Sequence, residues 1–172
     1  MKFFKKNPLL SSILIIIGII VVYSVCYFFI IPKLNNQTLE RFSQRLTSVA
    51  LPPNTQQIQQ VDEVGQLSGS GDHCDYLSAI MLKTTLPKAE LENYYNNNYK
   101  GTTKIDFIWT DEMTVTKENR IGNPTGVATL SDWFMNKDQN DQTDVVVYIF
   151  DWGKGSSVDP RCGSFGSITQ YP

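Results

Sequence analysis

A chain of 172 residues that opens with a 23-residue apolar run, Leu9 to Ile31, leaves 140 residues beyond Pro32, the size of one ordinary globular domain. That remainder sets 12 basic residues against 17 acidic ones, a net charge of about −5, because Lys2, Lys5 and Lys6 all precede the run. The balance excludes a basic nucleic-acid-binding surface and an enzyme built from several domains, and a lone histidine excludes a multi-histidine metal site.

The first element in chain order is the run itself, LLSSILIIIGIIVVYSVCYFFII, which carries no charge. As a helix it extends roughly 34 Å, enough for a hydrocarbon core of about 30 Å. Ser11, Ser12, Gly18 and Ser24 are tolerated because a helix satisfies its own backbone polar groups. Tyr23, Tyr27, Phe28 and Phe29 gather toward the far end, where aromatic rings favour the interface. Three lysines before the run and only Lys33 close behind it predict a cytoplasmic amino terminus and an extracytoplasmic remainder. A cleaved signal peptide would show a shorter apolar core and a small-x-small site, whereas this run continues into Phe28-Phe29-Ile30-Ile31-Pro32. Cys26 is a poor lipid-anchor site, with bulky Tyr23 and Val25 before it and apolar residues beyond. The expected organisation is a cytoplasmic segment 1–8, a membrane helix 9–31, a stem with an amphipathic helix 32–53, and an outer domain 54–172.

Pro32 to Gln37 reads as a short polar stem. Thr38 reads as the N-cap of a helix whose apolar face is Leu39, Phe42, Leu46 and Val49, stopped by Leu51-Pro52-Pro53. Thr55 to Val64 reads as a strand and Ser68 to Asp72 as a loop. Cys74 to Leu82 is apolar on both faces and fits a central strand. Thr84 or Thr85 caps a helix with Pro87 in its first turn and Leu91, Tyr94, Tyr95 and Asn98 on one face, closing near Lys100-Gly101. Lys104 to Thr110 alternates as a strand, with Met113 to Lys117 as its hairpin partner. Asn119 to Gly126 is a turn cluster, Val127 to Met135 a further strand, and Asp138 to Asp141 a loop. Val145 to Phe150 is the clearest strand, ended by Asp151 and Gly153, and a Gly/Ser-rich tail follows. The order implies an α+β domain with a mostly antiparallel sheet.

Two cysteines fall in the outer domain, and outside the cell such a pair predicts a disulfide, Cys74–Cys162. The bridge closes a loop of about 89 residues, worth roughly 4.6 kcal/mol at most by the chain-entropy relation. Bridged Cα atoms lie about 4.4–6.8 Å apart. Asp72, His73 and Asp75 are thereby expected near Asp159 and Arg161. Three readings follow. In the structural one, Asp75 caps or pairs with Arg161 and His73 is an ordinary loop residue. In the second, Asp72, Asp75, Asp151 and Asp159 hold a hard cation with loop carbonyls, although their spacing matches no calcium loop. In the third, His73 acts as a general base, with Asp75 and Asp159 beside it, and no recognisable nucleophile.

Trp109, Trp133 and Trp152 read as core aromatics rather than a binding platform. Gly69-x-Gly71 is a turn and not a nucleotide fingerprint, Asn36-Gln37-Thr38 matches a glycosylation sequon better explained as a cap, and no cofactor motif is present.

The stretch Gly69-Ser70-Gly71-Asp72-His73-Cys74-Asp75-Tyr76, with Leu86 to Tyr95 and Asp159-Pro160-Arg161-Cys162, resembles uncharacterised membrane-anchored extracytoplasmic proteins of bacteria. These carry a Gly-x-Gly-x-His-Cys-Asp-Tyr-like loop and a second cysteine near the end. The resemblance covers roughly residues 50–163 and implies the bridge and a cell-envelope location, with no activity attached. The expected function is a single-pass membrane protein whose outer domain is an interaction or accessory module with an envelope protein partner, bound to the bilayer through residues 9–31. The alternative is an envelope hydrolase, or a small-ligand or cation-binding domain, using the loops around His73 and Asp159.

Overall fold

The structure, a computed structural model, describes residues 8–67, 73–109, 144–155 and 158–162. The apolar run forms α1 (Pro8–Val25) and continues through one π-helical turn (Cys26–Ile30) into α2 (Ile31–Thr47). The wide turn has a local cause. Pro32 has no N–H to offer the Phe28 carbonyl, and its ring would strike that group in a regular helix. Widening the turn, with the Ile31 amide on the Cys26 carbonyl, carries the helix past it. Along α1 the aliphatic side chains are exposed, and the helix is long and apolar enough to cross a membrane.

The polar stem expected at Pro32–Gln37 is therefore absent, because these residues are helical. Thr38 is no N-cap either; it sits inside the helix and donates its hydroxyl to the Leu34 carbonyl at 3.0 Å. The helix both extends the apolar segment and packs on the domain, with Phe42 and Leu46 buried against the sheet. Full burial of a side chain such as Leu46 contributes about 1.5–3 kcal/mol. The helix ends at Thr47, ahead of Pro52-Pro53, and Asn54 at φ 55° turns the chain into the sheet.

Four strands follow, β1 (Thr55–Gly65), β2 (Cys74–Thr84), β3 (Ile105–Trp109) and β4 (Val145–Gly155), all antiparallel in the order β1-β2-β4-β3. With the helices, they make the fold α+β. As its doubly apolar sequence predicts, β2 is central, and every residue from Cys74 to Leu82 is buried. The pleat sends Cys74, Tyr76, Ile80 and Leu82 to the face covered by α2 and by α3 (Lys88–Asn98), while Leu77, Ala79 and Met81 build a second core with Leu67, Val146 and Tyr148 on the other face.

Pro87, with φ −57° and ψ 145°, stands at the N-cap of α3 rather than in its first turn, and neither Thr84 nor Thr85 caps it. Trp109 is buried as expected, its indole N–H on the Glu92 carboxylate at 3.0 Å. Trp152 is not core: it is 65% exposed. Strand β4 runs beyond Asp151 and Gly153, which bulge rather than end it. The expected hairpin partner at Met113–Lys117, the strand at Val127–Met135, the loops at 68–72, 119–126 and 138–141, Trp133 and the tail beyond Cys162 lie outside the described residues.

Candidate functional site

The first residue of β2, Cys74, is bridged to Cys162 with Cα atoms 4.8 Å apart, inside the expected range. The approach is close on both sides. A Cβ on Gly155, the residue paired with Cys74 across the sheet, would lie 2.4 Å from the Cys74 Cβ, so only glycine fits there. Cys162 closes a tight turn by donating its amide to the Asp159 carbonyl at 2.9 Å, and the Arg161 carbonyl accepts from the Gln66 amide at 3.3 Å.

Asp159 within this turn is 1% exposed and almost fully wrapped by donors. Its Oδ1 accepts from the Arg161 backbone at 3.0 Å and from Arg161 Nε at 2.9 Å. Its Oδ2 accepts from Arg161 Nη2 and from Asn35 Nδ2, at 2.7 and 2.8 Å. Burial works to raise the carboxyl pKa, but the bonds from Arg161 and Asn35 outweigh it and hold the group below its ordinary value.

Asn35 and Arg161 join this turn to the long helix. The Asn35 side chain, 5% exposed, also lies 3.5 Å from the Cys74 sulfur and accepts the Tyr76 hydroxyl at 3.1 Å. Arg161 reaches the helix twice, donating Nη1 to Asn36 at 2.7 Å and Nη2 to the Pro32 carbonyl at 3.2 Å. Burial, first of all, pushes the Tyr76 phenol pKa up, so it stays a donor. About two turns further along α2, Ser43 shares a hydroxyl contact with Ser78, whose own hydroxyl donates to Asp62 at 2.6 Å. The helix is thus fastened by a polar latch at one end and by packing and hydroxyls along its length.

Asp75 lies elsewhere. The pleat that turns Cys74 toward α2 turns its neighbour to the opposite face. Asp75 is 0% exposed and accepts from the Leu67 amide at 3.1 Å and the Gly153 amide at 3.0 Å. His73 Nε2 lies 3.3 Å from the same carboxylate. Between Cys74 and Tyr76 the pairing partner on β4 jumps from Gly155 to Asp151, and Gly153 takes φ 66° in the resulting bulge. The bulge lifts Trp152 into solvent with its ring edge-on to His73 at 5.6 Å.

The cluster expected from the bridge is therefore divided. Asp159 and Arg161 pair with each other on the helix face, whereas Asp75 and His73 pair on the other, and the expected Asp75–Arg161 contact is not made. Asp151 stands opposite Tyr76 in the register and is half-buried, on the helix side. Asp72 lies outside the described residues. Asp75 and Asp159 thus do not converge on one cation. The sulfurs of Cys74 and Cys162 and the Asp159 carboxylate lie within 4.8 Å of one another, but the sulfurs are bonded together and the carboxylate is occupied by Arg161 and Asn35, a poor donor set for a metal.

Asn35 is the residue that sequence reading overlooked, placed in a stem. Its position carried a signal: Asn35, Leu39, Phe42 and Leu46 continue one helical face when the stripe is extended back by a turn. Comparison of the chain with protein families, curated proteins and solved structures finds no match.

Proposed function

We propose that the chain is a single-pass membrane protein of the bacterial cell envelope, amino terminus inside and domain outside, as in the membrane-anchored proteins its GSGDHCDY loop resembles. The domain serves as an interaction or accessory module held rigidly at the membrane for an envelope protein partner. One observation carries the reading: an exposed apolar helix runs without a break into α2 and is gripped there by Asp159, which holds Asn35, and by Arg161, which holds Pro32. A flexible tether needs no such latch. A signal peptide cut near Ile31 would separate the helix at the point where the domain holds Pro32 and Asn35. The disulfide and the three lysines before the run support an oxidising exterior and a cytoplasmic amino terminus.

Two measurements test it. The full chain should resist alkaline carbonate extraction, and protease added to intact spheroplasts should digest residues beyond 32. A domain protected in unbroken cells, or full-length chain recovered free in the soluble fraction, overturns the reading.

The buried carboxylate behind His73 favours a second reading, an envelope hydrolase with His73 as general base and Asp75 orienting it. The variants His73→Ala and Asp75→Asn separate the two. If His73→Ala folds and restores whatever the wild-type chain restores in a strain lacking it, catalysis at His73 is excluded.

A further inference from the structure

We propose that the end of the domain carrying Trp152 and the disulfide turn rests in the headgroup layer of the bilayer that holds the helix, giving the chain a second membrane contact. The inference rests on the membrane-anchored reading above and adds a surface to it.

The height of this end is set by the latch. The apolar run stops at Ile31, and Arg161 holds the carbonyl of the next residue, Pro32, while Asp159 holds Asn35. At about 1.5 Å per residue, Asn35 lies only about 6 Å along the axis beyond Ile31. The polar layer on each side of a bilayer is about 5–7 Å thick, so the turn Val158–Cys162 sits at headgroup level.

Strand direction brings the rest of the rim to the same level. Asn35 meets Cys74 and Tyr76, Phe42 stacks near Tyr76 at 6.0 Å, and Ser43 meets Ser78. Helix α2 and strand β2 therefore run side by side in the same direction, away from the apolar run. The start of β2 is the membrane end, and antiparallel pairing sets the ends of β1 and β4 there too, Gly65 opposite Asp75 and Gly155 opposite Cys74.

That rim carries exposed apolar side chains. Beyond the long helix, the exposed large apolar side chains among the described residues are Leu51, Trp152 and Val158, and the last two belong to this end. Trp152 is held in place rather than loose. His73 packs edge-on against it, and the bulge that lifts it is tied down by the Gly153 amide on buried Asp75. A fixed, exposed indole beside a membrane exit is suited to the interfacial zone, where tryptophan concentrates. Because the domain is acidic and Arg161 is already engaged, the contact is apolar and interfacial, and it requires no anionic lipid.

The test places the full chain in phosphatidylcholine vesicles brominated near the headgroup and follows tryptophan fluorescence against Trp152→Phe. Flotation of the vesicles reports integration in the same samples, and disulfide mapping reports the fold of the variant. The expected result is a bromine-quenched component that acrylamide does not reach, that vanishes in Trp152→Phe, and that molar salt leaves unchanged. If the chain floats with the vesicles but the Trp152 component is quenched by acrylamide and not by bromine, the rim stands clear of lipid; this inference falls and the anchored reading stays. If the chain does not float at all, both fall.

Discussion

Asn35 donates its side-chain amide to the Asp159 carboxylate at 2.8 Å, across 124 positions of sequence. This one bond joins the helix that follows the apolar run to the Val158–Cys162 turn, beside the disulfide that closes the sheet. Around it, Tyr76 and Arg161 complete a buried network in which each polar atom named has a partner. Networks of this kind are sensitive to the loss of one member, because the groups left behind remain buried.

Replacing Asn35 by Ala therefore leaves the Tyr76 hydroxyl and one lobe of Asp159 short of a partner. The expected cost is about 1–3 kcal/mol, read as a lower melting temperature of the detergent-solubilised chain. Asn35→Asp should cost more, since it sets a second carboxylate against Asp159. Equal melting of all three proteins would contradict the latch.

The pH response of Asp159 follows from its lowered pKa. The native state binds the ionised carboxylate more tightly than the unfolded chain does, so this stability is present above the ordinary carboxyl value and is lost as pH falls through the lower, folded one. Acid unfolding of the wild type should steepen below the ordinary Asp range. With Arg161→Met the carboxyl pKa rises and the acid limb moves to higher pH; with Asp159→Asn the limb flattens. Urea titrations at several pH values read this directly.

Reduction should loosen the domain. Opening Cys74–Cys162 is expected to cost about 2–5 kcal/mol, the usual range for a native bridge in a small domain. Thermal melts with and without a phosphine reductant measure it, with Cys26 the free thiol in both states. Peptide maps showing Cys74 and Cys162 free in the unreduced native protein would refute the pairing.

Two glycines near the bridge should respond differently. Gly155→Ala drives a Cβ into Cys74 and should impair both pairing and oxidation. Gly153 has open space around it but a positive φ, so Gly153→Ala should cost only about 1–2 kcal/mol. Comparing disulfide yield with melting temperature separates a clash from backbone strain.

At the second site the two partners should not be equivalent. Asp75→Ala removes the acceptor for the Leu67 and Gly153 amides and is expected to cost about 2–3 kcal/mol or more. His73→Ala removes a partly exposed ring and should cost well under half as much. A larger loss from His73 would reverse the view that Asp75 organises the bulge.

Much of this architecture was legible in residue order. Leu9–Ile31 is apolar at every turn, Cys74–Leu82 is apolar on both faces, and Ile105–Trp109 and Val145–Phe150 are rich in β-branched and aromatic residues, so local pattern alone distinguishes helix, central strand and strand. Pro32 misled because a proline after an apolar run reads as a break, while a single widened turn removes the conflict at little cost. Trp152 misled because it follows the apolar strand run Val145–Phe150, and the bulge that turns it outward is set by pairing with β2 rather than by local pattern.

By itself the sequence determined the spanning-length helix, the α+β class and the pairing of Cys74 with Cys162, since each depends on local periodicity or on a simple count. Only the tertiary structure decided which polar groups meet. A disulfide draws two segments together, but the pleat then assigns Cys74 and Asp75 to opposite faces, parting Asp75 from Asp159, and the unbroken helix brings Asn35 into the vacancy beside Asp159. Those outcomes hang on the direction of side chains across a sheet and on a helix passing over it, which no stretch of neighbouring residues encodes.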